Sequence, residues 1–356
     1  MKTLLRLLLK SEHQRNRSEP DQTDKGMTLV ELLVGAIMAF LIITPMLGFV
    51  VDMLNTDRRE QVKSNTEQDV QAALDFIAQD LSQALYIYDN NPATTSTATT
   101  TATGIPALIT GDFIPKKPNE TPILIFWKRE LIKNSMPLAT NLQPRSCQLT
   151  GPNQCNDTYV LALVAYYQVR DADATWCQPS GGTCPTRIVR YQFKDGLRDP
   201  SSTNLNPSLR YFRDVKQGQE PSPAFNPRFD ISNPTQNVTN KQGFGNPEVL
   251  VNYIDHSQKP IDPEECKKAL GKPTTQTGTT TAEIPETTLR VTDTASTTNT
   301  NSFYACVDTA RNIARVTIRG NSLRRLQPNN TDYDDEKSAY FPTASVQVQG
   351  LGARGK

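Results

Sequence analysis

The sequence predicts an α+β fold: a long N-terminal helix, its first half transmembrane, packed on an antiparallel β-sheet domain with long irregular loops. Three observations carry this. Leu32 to Val51 is twenty residues without a charge, long enough as a helix to cross a bilayer. Val70, Ala73, Leu74, Ile77, Leu81, Ala84, Leu85 and Tyr88 then recur at the i, i+3, i+4 spacing of one helix face. Beyond residue 120 the apolar residues form short runs rich in β-branched and aromatic side chains, bounded by Pro, Gly and Asp, which is how strands read. A helix followed by a series of strands indicates α+β architecture.

Residues 1–26 form a charged leader with six Lys/Arg (Lys2, Arg6, Lys10, Arg15, Arg17, Lys25) and four acids. The residues just after the apolar run, Asp52 to Glu60, carry both signs. The positive-inside rule therefore places the N-terminus in the cytoplasm and the remainder across the membrane, as a single-pass protein. A secretory signal peptide has its apolar core before the cleavage site; here the apolar stretch follows the charged leader. The segment 27–54 is read as the membrane helix. It contains Pro45, which removes a backbone hydrogen bond and is expected to kink the helix. The polar stretch that follows lacks Pro and Gly up to Asp69, so the helix is expected to continue through 55–90, making one element from about Met27 to Tyr88.

Residues 91–349 are read as the β-rich domain. Asn91 to Gly104 and residues 271–302 are Thr-rich and expected to be loops. Strands are expected at Ile123–Trp127, Tyr159–Arg170, Arg187–Phe193, Pro247–Asp255, Ala305–Val307, Ala314–Arg319 and Ala344–Gln349, the second and third pairing across a loop. Residues 196–246 read as an irregular insertion, since so long a structureless loop is unusual within a compact domain. Residues 350–356 form a polar tail.

Charge and cysteine usage narrow the function. With 38 Lys+Arg against 37 Asp+Glu, the chain is near neutral, which argues against nucleic acid as a partner. The six cysteines lie beyond the apolar run, form no C-x-x-C pair and include two close pairs around Gly and Pro, "CQLTGPNQC" and "CQPSGGTC". Six cysteines allow fifteen pairings; the favoured set is Cys147–Cys155, Cys177–Cys184 and Cys266–Cys306, in an oxidising compartment. Only two histidines occur, His13 and His256. There is no G-x-S-x-G, P-loop or H-E-x-x-H. Gly350 to Gly355 fits G-x-G-x-x-G, but the chain ends one residue later, with no room for the helix a dinucleotide site needs. His256 beside Asp255 makes a poor catalytic pair, because neighbours on a strand point apart. The carboxylates Asp332, Asp334 and Asp335 of "DYDDEK" are weak calcium candidates, lacking the glycine turn of an EF-hand loop. No cofactor is expected, and an enzyme is the least supported class.

The most informative residue is Glu31, one position before the apolar run. A carboxylate within a span costs about 2.5–3.5 kcal/mol on insertion scales and is normally paired and functional. "KGMTLVELLVG" resembles the processing signal of type IV pilins and type II secretion pseudopilins, although that family usually has Phe where this chain has Met27. The resemblance implies that a prepilin peptidase cuts between Gly26 and Met27 and methylates the new N-terminus at Met27. It implies that Glu31 then faces the amino-terminal ammonium of a neighbouring subunit, and that Pro45 marks a locally melted stretch of the helix in a filament. "YYQV" followed by "RIVRY" is similar to the meander of J-type minor pseudopilins. "AFLIITPMLGFVVDMLNTDRREQ" and "EQDVQAALDFIAQDLSQALYIYD" resemble the cyanobacterial hormogonium polysaccharide secretion pseudopilins of the type designated C. The partners implied are other pseudopilins or pilins in a filament, the prepilin peptidase and an inner-membrane assembly platform. The function implied is export of a surface polysaccharide used in gliding. The alternatives are a minor type IV pilin and a membrane-anchored glycan-binding module.

Overall fold

The computed structural model describes residues 28–91, 104–138, 154–170, 172–197, 199, 203, 246–277, 280–292 and 301–352. Gly26, Met27, Cys147, nearly all of the 196–246 insertion, nearly all of the first Thr-rich segment (92–103) and residues 278–279 and 293–300 of the second lie outside these. The chain divides between Arg58 and Arg59 into two compact units, described separately below.

Helix α1 covers Leu29–Ser82. In the first unit every residue of it is exposed, and its apolar stretch is long enough to cross a membrane once. The helix runs through Pro45 without interruption. In the second unit, Val70, Ala73, Leu74, Ile77 and Leu81 are buried, the face that the spacing predicts. The helix stops earlier than expected. Ala84–Ile87 is strand β1, paired antiparallel with β2, so Ala84, Leu85 and Tyr88 are not part of the helical stripe. "LYIY" is the cause: β-branched and aromatic residues suit a half-buried pleated surface, and here they find an edge to pair with.

That edge belongs to a five-stranded antiparallel sheet in the order β1-β2-β3-β4-β5, with β2 Glu120–Pro137, β3 Cys155–Val169, β4 Thr186–Lys194 and β5 Glu248–Ile254. The expected strands at 123–127, 159–170, 187–193 and 247–255 all fall within it. β2 is much longer than the apolar run that signalled it, because its polar half, Lys128 to Pro137, goes on pairing with β3, with one shift of register between Ile132 and Met136. β3 and β4 pair as expected, across the loop closed by Cys177–Cys184.

A second antiparallel sheet has the order β11-β10-β9-β8, with β8 Arg290–Val291, β9 Phe303–Asp308, β10 Ile313–Arg319 and β11 Thr343–Gln349. The sheets meet where Ile254 bridges Gly320 and the Asp255 N–H donates to the Arg319 carbonyl. Gly320 is required there: a Cβ on it would lie 2.7 Å from Thr66 Cγ2 and 3.1 Å from Val70 Cγ2. One apolar core joins α1 to both sheets, through Ile77, Leu81, Phe126, Tyr166, Phe303, Val316 and Ile318 among others.

The Thr-rich segment 271–302 is more ordered than its composition predicts. It contains the hairpin β6 Thr274–Thr277 and β7 Thr280–Glu283, then a short helix, Glu286–Leu289, leading into β8. Its anchor is a satellite core of Cys266, Leu270, Leu289, Tyr304 and Cys306, closed by the Cys266–Cys306 disulfide. Threonine is compatible with strands, and the buried disulfide supplies the packing that the segment lacks. Replacing Cys266 and Cys306 by serine is expected to lower stability by about 2–4 kcal/mol, read as an earlier midpoint in urea unfolding.

Two of the three expected pairings are present, Cys177–Cys184 and Cys266–Cys306. Cys155, at the start of β3, is also disulfide-bonded; its expected partner Cys147 lies outside the described residues. Buried Arg324 holds the Cys177–Cys184 loop by donating to the carbonyls of Thr183 (2.8 Å), Pro179 (2.8 Å) and Gly181 (2.9 Å).

Candidate functional site

Glu31 lies in the first turn of α1. The Thr28 hydroxyl accepts from the Glu31 N–H at 3.3 Å, satisfying one of the donors that a helix start leaves open, and the Thr28 carbonyl accepts the first intrahelical bond, from the Leu32 N–H at 3.2 Å. An acid in this turn also complements the positive end of the helix dipole. The side chain is exposed among exposed Leu29, Val30, Leu32 and Leu33, and among the described residues it has no charged partner. Thr44, beside Pro45, bonds the Phe40 carbonyl at 2.8 Å. Exposed side chains therefore present a carboxylate at one end of a long apolar surface. Such a surface requires lipid or other apolar helices to cover it.

The second unit has its own charged centre. Asp80 sits on the buried face of α1 and meets three strands: Lys128 Nζ of β2 at 2.8 Å, Tyr166 OH of β3 at 2.7 Å and Arg190 Nε of β4 at 2.8 Å. Glu130 continues the network, accepting from Lys194 at 2.8 Å and Gln192 at 3.0 Å and lying 3.1 Å from Lys128. Burial pushes the Asp80 carboxyl up, but hydrogen bonds from Lys128 and Tyr166 and the charge of Arg190 outweigh it and hold the group below the usual carboxylate range. Glu130 is likewise raised by burial and lowered more by Lys194 and Lys128, to about 2. Both carboxylates stay ionised at neutral pH, and the cluster ties the helix to the sheet. Sequence reading misses Asp80 as a site, yet part of the signal is present: it falls three residues after Ile77 on the apolar stripe.

The remaining candidates are dispersed. Among the described residues no three metal-binding groups gather. Asp332 lies 3.3 Å from His256 Nε2, Asp334 caps the 3-10 helix Asp335–Tyr340 by accepting from the Glu336 N–H, and Asp335 accepts from Tyr333 OH at 3.1 Å. His256 does not face Asp255, whose carboxylate is taken up by Ser257 (2.6 Å), Arg319 (2.8 Å) and Asn321 (3.2 Å). Burial lowers the His256 pKa, against the raising effect of Asp255 and Asp332, and favours a neutral imidazole. A cleft of about 690 Å³ lies beside Ile105, Ile114, Lys116, Lys117 and Arg170; its described lining does not pair a nucleophile with a base. No family model, curated protein or solved structure matches this chain.

Proposed function

We propose that this chain is a minor pseudopilin: a structural subunit inserted in the inner membrane with its N-terminus cytoplasmic, cut after Gly26 and assembled into a short pilus-like filament that drives secretion of a surface polysaccharide. One observation carries the reading. Glu31, five residues into the chain that cleavage would leave, stands in the first turn of an exposed apolar helix without a charged partner among the described residues. Cleavage before Met27 creates an ammonium, and the ammonium of a neighbouring subunit is the counter-charge that Glu31 lacks. Opposite charges attract strongly where the dielectric is low, although desolvation offsets much of the gain. The pair therefore sets register between subunits more than it adds stability. The finer assignment, to hormogonium polysaccharide secretion and gliding, rests on the resemblance over residues 26–90.

N-terminal sequencing and mass spectrometry of the protein from its own membranes should give N-methyl-Met27 as the first residue. A mature chain that still begins at Met1 would sink the proposal. Deleting the gene should block polysaccharide release while surface pili persist; loss of the pili instead would make the chain a minor type IV pilin.

A further inference from the structure

We propose that β11 is an open sheet edge on which a second copy of this chain pairs its own β11 antiparallel. The inference concerns the second unit and goes beyond the filament contact at Glu31. Exposed edges template pairing with other chains, and proteins blunt them with short strands, bulges, prolines, charges or covering segments. The other edges of the two large sheets carry such devices. β8 is two residues long. β1 has a register shift, and its outer carbonyls are taken: Ala84 by Gly352 N–H and Asn312 Nδ2, Ile87 by Thr309 Oγ1. β5 begins with Glu248 and shifts register twice against β4. Among the described residues β11 has none of these. It is seven residues, Thr-Ala-Ser-Val-Gln-Val-Gln, with no charge or proline, in unbroken register with β10 from Thr343 to Gln349.

The ladder fixes which backbone groups face outward. The Gly320 N–H donates to the Pro342 carbonyl and the Gly350 N–H to the Asn312 carbonyl, each at 2.9 Å. Antiparallel pairs alternate between bonded and non-bonded. Counting inward from either end puts Ala344, Val346 and Val348 in bonded pairs with β10. The N–H and C=O groups of Thr343, Ser345, Gln347 and Gln349 therefore point away from the sheet, and no described residue bonds them.

The strand is complementary to itself. Paired antiparallel about Val346, Ser345 faces Gln347 and Thr343 faces Gln349, so each outward residue meets an outward residue and about eight hydrogen bonds form. Uncharged polar side chains oppose one another on the exposed face. On the other face Val346 meets Val346 and Ala344 meets Val348, and no charge opposes a like charge.

In such a pair the Cα atoms of residues 345 and 347 lie about 5.5 Å apart, within disulfide reach. The full-length chain in its membrane, carrying Ser345→Cys with Gln347→Cys, should oxidise to a homodimer at least tenfold more than a chain carrying Thr281→Cys on the β6–β7 hairpin. Thr343→Cys with Gln349→Cys should cross-link as well. That link should be lost when Gln347→Pro is added, which removes an outward N–H but no bond to β10. It should also be lost on adding Ser345→Lys with Gln347→Lys, which keeps the backbone ladder to β10 and gives up only the bond from Arg315 to Ser345 Oγ. Absence of dimer, a dimer that survives the lysines, or links only to a different polypeptide would each overturn the proposal. None of these results depends on cleavage at Met27 or on Glu31, so the filament reading stands or falls separately.

Discussion

Glu31→Val is expected to leave the chain in the membrane and abolish its incorporation into filaments. The two effects separate because they draw on different physics. Insertion follows the apolar run, and removing a carboxylate from its border makes the span cheaper to insert by up to about 2.5–3.5 kcal/mol. Assembly follows the charge pair. A neighbour's ammonium left without its partner in a low-dielectric surrounding costs about 3–5 kcal/mol, a factor of at least 100 in an association constant at 1.4 kcal/mol per tenfold. Glu31→Gln is the sharper variant, since it keeps the shape and hydrogen-bonding oxygen and loses only the charge. Membrane fractionation should show both variants inserted at wild-type level, and sheared or affinity-isolated filaments should lack them. Wild-type filament content for Glu31→Gln would refute the pairing argument even if Glu31→Val behaved as expected.

Asp80→Asn is expected to be the most damaging single substitution in the second unit, lowering stability by about 3–5 kcal/mol. Of the described carboxylates, Lys128 would keep only Glu130, at 3.1 Å, and Arg190 only the exposed Glu248, at 3.7 Å, so losing the buried anion they share leaves both cations undercompensated. Urea unfolding of the full chain in detergent, followed by the fluorescence of Trp127 beside Lys128, reads the loss. Removing the charges together with the hydroxyl that donates to Asp80 should recover much of it: Asp80→Leu with Lys128→Met, Arg190→Leu and Tyr166→Phe replaces these four groups by apolar ones, often close to neutral. A quadruple variant no better than Asp80→Asn would show that the cluster does more than balance charge. The pH dependence has a definite sign. Asp80 and Glu130 are both held below their unfolded values. Their contribution is fully present above the ordinary carboxylate range near pH 4, and is lost as pH falls from there toward the Glu130 value of about 2.

The fold was legible where one physical signal dominated. The α1 stripe from Val70 to Leu81 and the strands around Phe126, Tyr166 and Val189 announced themselves by period and by side-chain type. Legibility failed where context decided. "ALYI" at 84–87 continues the helical spacing, and only the availability of β2 as a partner turns it into a strand. The Thr-rich run after Lys272 looks featureless until Cys266–Cys306 gives it a core to lean on. The polar half of β2 has no strand signal of its own and is ordered by β3. At the site, Glu31 was conspicuous because a lone acid beside an apolar run has few explanations. Asp80 was not, because an acid near the end of an amphipathic helix normally faces water. Its three partners come from strands 48, 86 and 110 residues away, a convergence that helical spacing cannot reveal.

Arg324 has a consequence for how this protein can diversify. Apart from a 3.6 Å contact to Cys177 Sγ of the disulfide itself, it holds the Cys177–Cys184 loop by main-chain carbonyls, of Pro179, Gly181 and Thr183, and a carbonyl is the same whichever residue bears it. The loop's shape is thus secured without reference to most of its side chains. Ser180 and Thr183 are exposed and can be rewritten freely. Gly182 cannot, because a Cβ there would lie 1.8 Å from the Pro328 carbonyl oxygen. Variation between related chains should therefore collect on this loop as changes of surface identity that the scaffold does not register.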